Sequence, residues 1–195
     1  MIRVGLTGGI AAGKSTIAKM LHDFFHIPIF DADKAVHQLY HHPDVAKGME
    51  LIVPNCVNDD GKVDRKILSK AISANPDLIE EIEDFIHPLV RSKEQNFIQD
   101  MVRNGCGIIA SEIPLLFESN AQDRYDVVVL AHAPLWLRKK RAMHRYHMSE
   151  QKWRSIISNQ TTDEVRLKRA DFVIYTGLGK AQTALQVKQF MVRFK

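Results

Sequence analysis

The 195-residue sequence predicts an α/β fold, in which a sheet is flanked by helices. Two observations support this fold class. Short apolar segments alternate with segments of helical periodicity, and a glycine-rich turn joins the first segment of each kind. The predicted strands are residues 2–7, 27–30, 107–113, 126–130 and 171–175.

The first strand and the helix after it have the clearest patterns. Residues 2–7 are short and apolar, and residues 14–26 place one apolar face of a helix at Ile17, Leu21, Phe24 and Phe25. Three consecutive valines in the fourth strand suit a strand that is buried on both faces. Further helices are predicted at residues 135–145, at 150–160 with Ser149 as N-cap, and at 180–194.

Residues 34–104 have helical periodicity and no convincing central strand. Asn75-Pro76 is typical of a helix start, with asparagine at the N-cap and proline at the first helical position. We expect that helix to run from 77 to 87, to kink or restart at Pro88, and to continue to about residue 104. The segment is therefore interpreted as a helical insertion at one edge of the sheet.

The composition is that of an ordinary globular protein. Lys and Arg number 27 and Asp and Glu number 23, which gives a net charge of +4, and 45% of residues are hydrophobic. These values argue against disorder. No apolar run approaches the roughly 20 residues that span a bilayer, no secretory signal pattern is visible, and two cysteines are too few for a disulfide scaffold. We expect a single-domain cytoplasmic protein without a membrane partner.

The strongest motif is Gly8-Gly9-Ile10-Ala11-Ala12-Gly13-Lys14-Ser15, which fits the P-loop pattern G-x-x-x-x-G-K-[ST]. It lies between an apolar strand and an amphipathic helix, which is the context that the motif requires. Backbone N–H groups of such a loop face a phosphate at the positive end of the helix. In this pattern Lys14 can reach the β- and γ-phosphates and Ser15 can bind Mg²⁺.

Carboxylates follow two of the predicted strands. Asp31 and Asp33 come after the second strand, where one can cap the next helix and the other can accept a proton from an attacking hydroxyl. Glu112 lies near the end of the third strand. It can hold the Mg²⁺ shell, directly or through water, or be a strand-end carboxylate without a metal role.

A basic stretch begins at Arg138 and ends at Arg145. Arg138, Arg141 and Arg145 are spaced to share one helix face. The stretch fits a lid that closes an arginine over a transferring phosphoryl group, or a solvated helix face. Trp136 and Tyr146 flank it, but two isolated aromatics make a poor stacking platform for nucleic acid.

Together these features favour a kinase that acts on a small molecule. A guanine-specifying Asn-Lys-x-Asp motif is absent from the sequence, which argues against a GTPase. A nucleoside or nucleoside monophosphate kinase is the alternative among enzymes. A nucleotide-dependent module that binds nucleic acid through the basic stretch is the alternative from another class, and it predicts strongly salt-dependent binding.

Several short motifs occur in one order along the chain. They are Gly5-Leu6-Thr7-Gly8-Gly9-Ile10 leading into Gly13-Lys14-Ser15, Asp31-Ala32-Asp33, Asp60-Gly61-Lys62-Val63-Asp64-Arg65, His87-Pro88, Pro114-Leu115-Leu116-Phe117-Glu118, Arg141 with Arg145 and Met148-Ser149, Gln160, and Ala170-Asp171. In this order the motifs resemble those of the dephospho-CoA kinase family, over essentially all of the chain. Arg138 stands where the family commonly has glutamine, and Thr176 where asparagine is expected.

The resemblance implies a P-loop kinase fold with three parts. A five-stranded parallel core would comprise about residues 1–33, 105–134 and 170–195, a helical CoA-binding region about 34–104, and a lid about 135–169. The implied reaction phosphorylates the ribose 3′-hydroxyl of dephospho-CoA, with ATP as co-substrate and Mg²⁺ as cofactor. These small molecules are the expected partners, without nucleic acid, and the oligomeric state stays open.

The resemblance also implies roles for individual residues. Asp33 would be the general base, while Lys14 and Arg141 would stabilise charge on the γ-phosphoryl group. Arg65 and His87 would bind the acceptor together with Asp33. The expected metal ligands are Ser15, from its place in the P-loop pattern, and Glu112, from its place near the end of the third strand. The residues implied to bind ATP are Gly8, Gly9, Ala11, Ala12, Gly13, Lys14, Ser15, Thr16 and Arg145.

Overall fold

The computed structural model describes residues 1–145 and 148–194. The chain divides into two compact units, which we call the sheet unit (Met1–Phe30 with Met101–Lys195) and the helical unit (Asp31–Asp100). Residues 135–169, the expected lid, fall within the sheet unit by this division. The three-part division into core, CoA-binding region and lid stays a prediction.

The sheet has five parallel strands in the order β2-β3-β1-β4-β5, which confirms the predicted fold class. The strands are β1 (Ile2–Thr7), β2 (Ile29–Asp31), β3 (Ile108–Glu112), β4 (Val127–His132) and β5 (Phe172–Tyr175). The central strand β1 pairs with β3 and β4, so Leu6 lies between Glu112 and Val129. The carboxyl ends of three strands therefore meet where β1 leads into the glycine-rich turn.

Helices cover most of the remaining chain. They are α1 (Lys14–Phe25), α2 (Ala32–Leu39), α3 (Pro43–Ile52), α4 (Arg65–Ala74), α5 (Leu78–Arg103), α6 (Leu135–Met143), α7 (Glu150–Ser158), α8 (Asp163–Arg169) and α9 (Lys180–Val192). No helix in the described part of the chain has both the length and the apolar character needed to cross a bilayer.

The core of the sheet unit lies between the central strands and helices α1 and α9. Val4 and Leu6 of β1 pack in it with Ile17 of α1 and Phe190 of α9. Phe24 does not belong to this core and is half exposed, with the Lys188 amine 5.9 Å from its ring centroid. The apolar face of α1 is therefore narrower than the sequence pattern suggests.

The helical unit has a separate core, formed by residues from α2 to α5. Leu39, Met49, Leu68 and Ile86 are among its buried members. Proline at the first turn of α3 and the Asp64 side chain, which accepts from the Lys66 N–H at 2.7 Å, define two of the helix starts. This unit thus buries its own apolar surface.

Expectations for the long helix hold in part. The helix begins at Leu78, one residue after the predicted start. Asn75 is the C-cap of α4, and its side chain also accepts from the Asp77 N–H at 3.3 Å, as predicted for a residue at a helix start. The chain stays helical through Pro88, so the restart is wrong, while the kink stays a prediction. Burial of Ile82 and Ile86 in the core stabilises the helix before the proline, against a cost of about 3 kcal/mol for proline inside a helix.

The buried position of Met49 can be tested against an exposed neighbour on the same helix. Met49 is 0% exposed and Leu51 is 87% exposed. We expect Met49→Ala to lower the free energy of unfolding by about 2 to 5 kcal/mol, because it leaves a cavity in the helical unit. Leu51→Ala should change it by less than about 0.5 kcal/mol in urea unfolding. Equal effects of the two substitutions would contradict this core assignment.

Candidate active site

The phosphate loop, residues 8–15, has an unusual backbone. Gly8 has φ 148°, Ala11 φ 58° and Gly13 φ 101°. A Cβ on Gly8 would overlap the carbonyl oxygen of Ala131 at the end of β4, so this close approach requires glycine. Gly13 is the N-cap of α1, and no described side chain caps this helix start. The loop therefore turns backbone N–H groups toward the space where an anion would bind.

Lys14 lies over the loop that precedes it. Its Nζ donates to the carbonyl oxygen of Gly8 at 2.9 Å and of Gly9 at 3.5 Å. The amine is thus held at the start of the loop, which is where the P-loop pattern places the lysine that contacts the β- and γ-phosphates.

Ser15 and Glu112 meet at the ends of α1 and β3. The Ser15 hydroxyl donates to Oε1 of Glu112 at 2.9 Å, and Glu112 is buried. A hydroxyl and a carboxylate are oxygen ligands of the kind that Mg²⁺ takes alongside substrate phosphates. The pair therefore fits this ion, although the described residues contain no cluster of three or more His, Cys, Asp or Glu side chains that could hold a metal alone.

Arg141 of α6 contacts the far side of the phosphate loop. Its Nη1 donates to Oγ1 of Thr176 at 3.1 Å and to the Ala11 carbonyl oxygen at 3.5 Å, and its Nη2 donates to the Thr176 carbonyl oxygen at 2.8 Å. Thr176 is itself buried, and its hydroxyl donates to the Ala12 carbonyl oxygen at 2.5 Å. A threonine at this position thus joins β5, α6 and the loop.

The three arginines of the basic stretch do not share one surface. Arg138 is 3% exposed, Arg141 is half-buried, and Arg145 is exposed and lies beyond the end of α6 at Met143. The shared face that the spacing predicts is therefore wrong, because the helix ends before Arg145. Tyr146, which flanks the stretch in the sequence, lies outside the described residues.

Two buried arginines and two half-buried carboxylates form an ion network between α6, α8 and the loop after β3. Asp163 accepts from Nη2 of Arg138 at 2.5 Å and from Nη1 of Arg166 at 3.4 Å. Arg166 also donates to Glu118 at 3.0 Å. Sequence reasoning missed Asp163 and Arg166. Their spacing of i, i+3 is that of an ordinary helix ion pair, and their other partners lie 25 and 48 positions away.

Glu118 and Gln160 connect α7 and α8 to the sheet. Burial alone would raise the pKa of the Glu118 carboxyl. Hydrogen bonds from its own N–H and that of Thr161, and the Arg166 guanidinium, outweigh burial and hold this pKa below its usual range. Gln160 accepts from the Ile10 N–H at 3.1 Å, directly on the phosphate loop. The segment between α7 and α8 therefore contacts both the loop after β3, through Glu118, and the phosphate loop, through Gln160.

The carboxyl end of β4 carries a histidine with an altered pKa. Burial lowers the pKa of His132, Asp163 opposes this and Arg138 adds to it. Its ring lies edge-on to Tyr175 of β5, with centroids 5.5 Å apart. Burial therefore disfavours the charged form of this imidazole.

In the helical unit, the aspartate that ends β2 and the aspartate in the first turn of α2 have different surroundings. Asp31 caps α2, accepting from the Lys34 N–H at 3.0 Å, while Asp33 is exposed in the first turn of the helix. This confirms the capping alternative for Asp31.

Arg65, at the start of α4, and His87, on α5, are also exposed. Burial raises the pKa of Tyr40, and the nearby Arg65 guanidinium opposes that shift.

The lowered pKa of Glu118 predicts a pH-dependent stability. A carboxyl whose pKa is depressed by folding stabilises the protein above its ordinary value of 4.5, and this contribution is lost as pH falls through the depressed pKa. At pH 7, Glu118→Gln should lower the free energy of unfolding by about 1 to 3 kcal/mol. We expect the difference from wild type to shrink below pH 4.5 in urea unfolding.

Glu164 provides the control for this prediction. It forms an exposed pair with Lys168 on α8. Glu164→Gln should therefore change the unfolding free energy by less than about 0.5 kcal/mol at each pH. A Glu118→Gln variant that differs from wild type by the same amount at pH 7 and pH 4 would contradict the role given to this carboxylate.

Comparison with known proteins agrees with this geometry. The dephospho-CoA kinase family model matches residues 2–180. The dephospho-CoA kinase of Bartonella quintana is 41% identical over 187 residues, which cover 94% of this chain and 93% of that protein. Among solved structures, a Thermus thermophilus protein is similar with a TM-score of 0.84 and 26% identity, covering 99% of this chain and 97% of that one.

Dephospho-CoA kinase from Campylobacter jejuni is similar with a TM-score of 0.73 and 27% identity, covering 98% of this chain and 96% of that one. These similarities extend over both the sheet unit and the helical unit. The sheet order, the phosphate loop and the family match are in agreement, and the chain belongs to the dephospho-CoA kinase family.

Proposed function

We propose that the chain transfers the γ-phosphoryl group of ATP to the ribose 3′-hydroxyl of dephospho-CoA, which gives coenzyme A and ADP in the last step of coenzyme A synthesis. The observation that carries this proposal is family membership over residues 2–180 together with a complete phosphate loop. Within that reaction, the described side chains support the following roles.

The nucleotide side of the site is the phosphate loop. N–H groups at the start of α1 receive the phosphates, and Lys14 exchanges the carbonyl oxygens of Gly8 and Gly9 for phosphate oxygens. Arg141, held beside Ala11, stabilises charge on the γ-phosphoryl group. The residues proposed to bind ATP are Gly8, Gly9, Ala11, Ala12, Gly13, Lys14, Ser15, Thr16 and Arg145.

Ser15 and Glu112 are the proposed holders of Mg²⁺, since their oxygens meet at the end of the phosphate loop. When bound, this ion neutralises charge on the β- and γ-phosphates. The Glu112 carboxylate is aligned for this task by its place at the end of β3, next to Leu6 of β1.

The acceptor side belongs to the helical unit. Asp33 accepts the proton of the attacking 3′-hydroxyl. The hydroxyl oxygen forms a bond to the γ-phosphorus, and the bond between that phosphorus and the bridging oxygen of ADP breaks. Its exposure, with the capping task left to Asp31, supports this role. Arg65 and His87, both exposed in the same unit, are proposed to bind dephospho-CoA together with Asp33.

The proposed setting is the cytoplasm, with small molecules as partners and no role for nucleic acid or membranes. Neither cysteine is in a disulfide. Burial raises the pKa of Cys56 to about 11, and Glu50 adds to this shift, so the thiol stays protonated.

The first test is an assay of ADP release with Mg-ATP and four conditions: dephospho-CoA, AMP, adenosine and no acceptor. Release that depends on dephospho-CoA, with a 3′-phosphorylated product by mass, is the expected result. Release with AMP or adenosine but not with dephospho-CoA would show that the acceptor is a nucleotide or a nucleoside. Folded protein that binds ATP but releases no ADP with any acceptor would favour a regulatory module.

Substitution of Asp33 tests the general base. We expect Asp33→Asn to lower kcat by at least about 100-fold, because general base catalysis contributes that much or more, and to change the Kd for ATP by less than about threefold. Asp31→Asn is the matched control, since asparagine also caps helices well, and should leave kcat within a few-fold of wild type. Equal losses in kcat and in ATP affinity for Asp33→Asn would contradict the role.

Substitution of Lys14 tests the phosphate loop. Lys14→Ala should weaken ATP binding about 10-fold or more, as expected for loss of a charged hydrogen bond, and should lower kcat as well. Lys19→Ala is the control, because Lys19 lies on the same helix in an exposed pair with Asp23. Isothermal titration with ATP and steady-state rates measure both effects. Unchanged values for Lys14→Ala would refute the assignment of the loop.

A further inference from the structure

Arg138 is a buried cation with one hydrogen-bond donor left over. It is 3% exposed, its Nε donates to the Ala133 carbonyl oxygen at 3.0 Å, and its Nη2 donates to Asp163 at 2.5 Å. Its Nη1 is buried and has no hydrogen-bond partner among the described residues. Such unmet donors are rare in native proteins and are costly, which makes this atom a candidate for contact with a ligand.

The unmet donor lies against the phosphate loop. A Cβ on Gly9 would overlap Nη1 of Arg138, and it would lie 2.9 Å from Nη1 of Arg166. Both guanidinium groups therefore face the Cα of Gly9. The carbonyl oxygen of the same residue is 3.5 Å from Nζ of Lys14. Three cationic side chains thus converge on the second residue of the loop.

The neighbouring carboxylates hold the Arg138 guanidinium in place but do not accept a hydrogen bond from its Nη1. Asp163 binds Arg138 and Arg166, and Glu118 binds Arg166, so two carboxylates balance two guanidiniums. These contacts use Nη2 of Arg138 and leave Nη1 directed at the loop. A phosphate oxygen is negatively charged and accepts hydrogen bonds, so it could be the partner that Nη1 of Arg138 lacks.

The position along the loop indicates which phosphate is concerned. Lys14 contacts the carbonyl oxygens of Gly8 and Gly9, and the P-loop lysine contacts the β- and γ-phosphates. Arg138 therefore faces the end of the loop at which the terminal phosphates bind. A donor that contacts the outermost of these phosphates would discriminate a nucleoside triphosphate from a diphosphate.

We propose that Arg138 binds the γ-phosphoryl group of the nucleoside triphosphate through Nη1, as a residue of the active site in addition to Lys14 and Arg141. The proposal rests on the phosphate loop being the nucleotide site. Asp163 holds the guanidinium in place, and the contact forms with the triphosphate but not with the diphosphate product.

The test compares ATP and ADP binding by isothermal titration for wild type and Arg138→Gln. Glutamine keeps an amide that can bind Asp163 but is too short to present a donor at Gly9. We expect the Kd for ATP to rise about 10- to 100-fold, as for loss of a charged hydrogen bond, and the Kd for ADP to change less than about threefold. Equal losses for both nucleotides, or an unchanged Kd for ATP, would overturn the proposal.

Two further variants make the result unambiguous. Lys139→Gln removes a positive charge from the same helix, where Lys139 pairs with Glu150, and should leave the ratio of the two affinities unchanged. If Arg138→Gln does not fold by circular dichroism, Arg138→Lys replaces it, because a single ammonium cannot reproduce the three directions of the guanidinium. Arg138→Lys should again lose ATP affinity selectively, and equal losses would again overturn the proposal.

The same titrations separate this inference from the proposed function. If Lys14→Ala loses ATP affinity while Arg138→Gln does not, the nucleotide site stands and the role of Arg138 is wrong. If wild type binds neither nucleotide, both assignments fail together.

Discussion

The phosphate loop is packed directly against β4, with no room for a side chain at Gly8 beside the carbonyl oxygen of Ala131. This contact positions the backbone that the rest of the site uses. Lys14 bonds to the loop from within, Gln160 binds the Ile10 N–H, and Arg141 and Thr176 hold the carbonyl oxygens of Ala11 and Ala12. Ala11 can therefore keep a left-handed conformation, which costs a residue with a Cβ about 1 to 2 kcal/mol.

The ion network of two buried arginines and two half-buried carboxylates positions side chains more than it stabilises the fold. Desolvation of buried ions offsets much of their attraction. What the network does is join three segments that are distant in the sequence: the loop after β3, α6 and α8. Because each carboxylate accepts from two donors, the guanidiniums of Arg138 and Arg166 have little freedom to turn away from Gly9.

Local patterns predicted the strands, the phosphate loop and most helices near it, since apolar periodicity and the glycine spacing are properties of neighbouring residues. They missed α8, because its apolar residues Val165 and Leu167 are only two positions apart and give no helical periodicity. The contacts of Glu118 with Arg166, and of Arg138 with Asp163, depend on how the sheet brings distant segments together. Spacing suggested a shared face for three arginines, but the early end of α6 separates them.

Gly9 and Arg138 lie side by side in the structure, although they are far apart in the sequence. Any side chain at position 9 would compete with the arginine at 138 for the same volume, whereas a shorter residue at 138 removes that competition. An arginine at position 138 therefore depends on glycine at position 9, so that each of the two residues limits what the other position can hold.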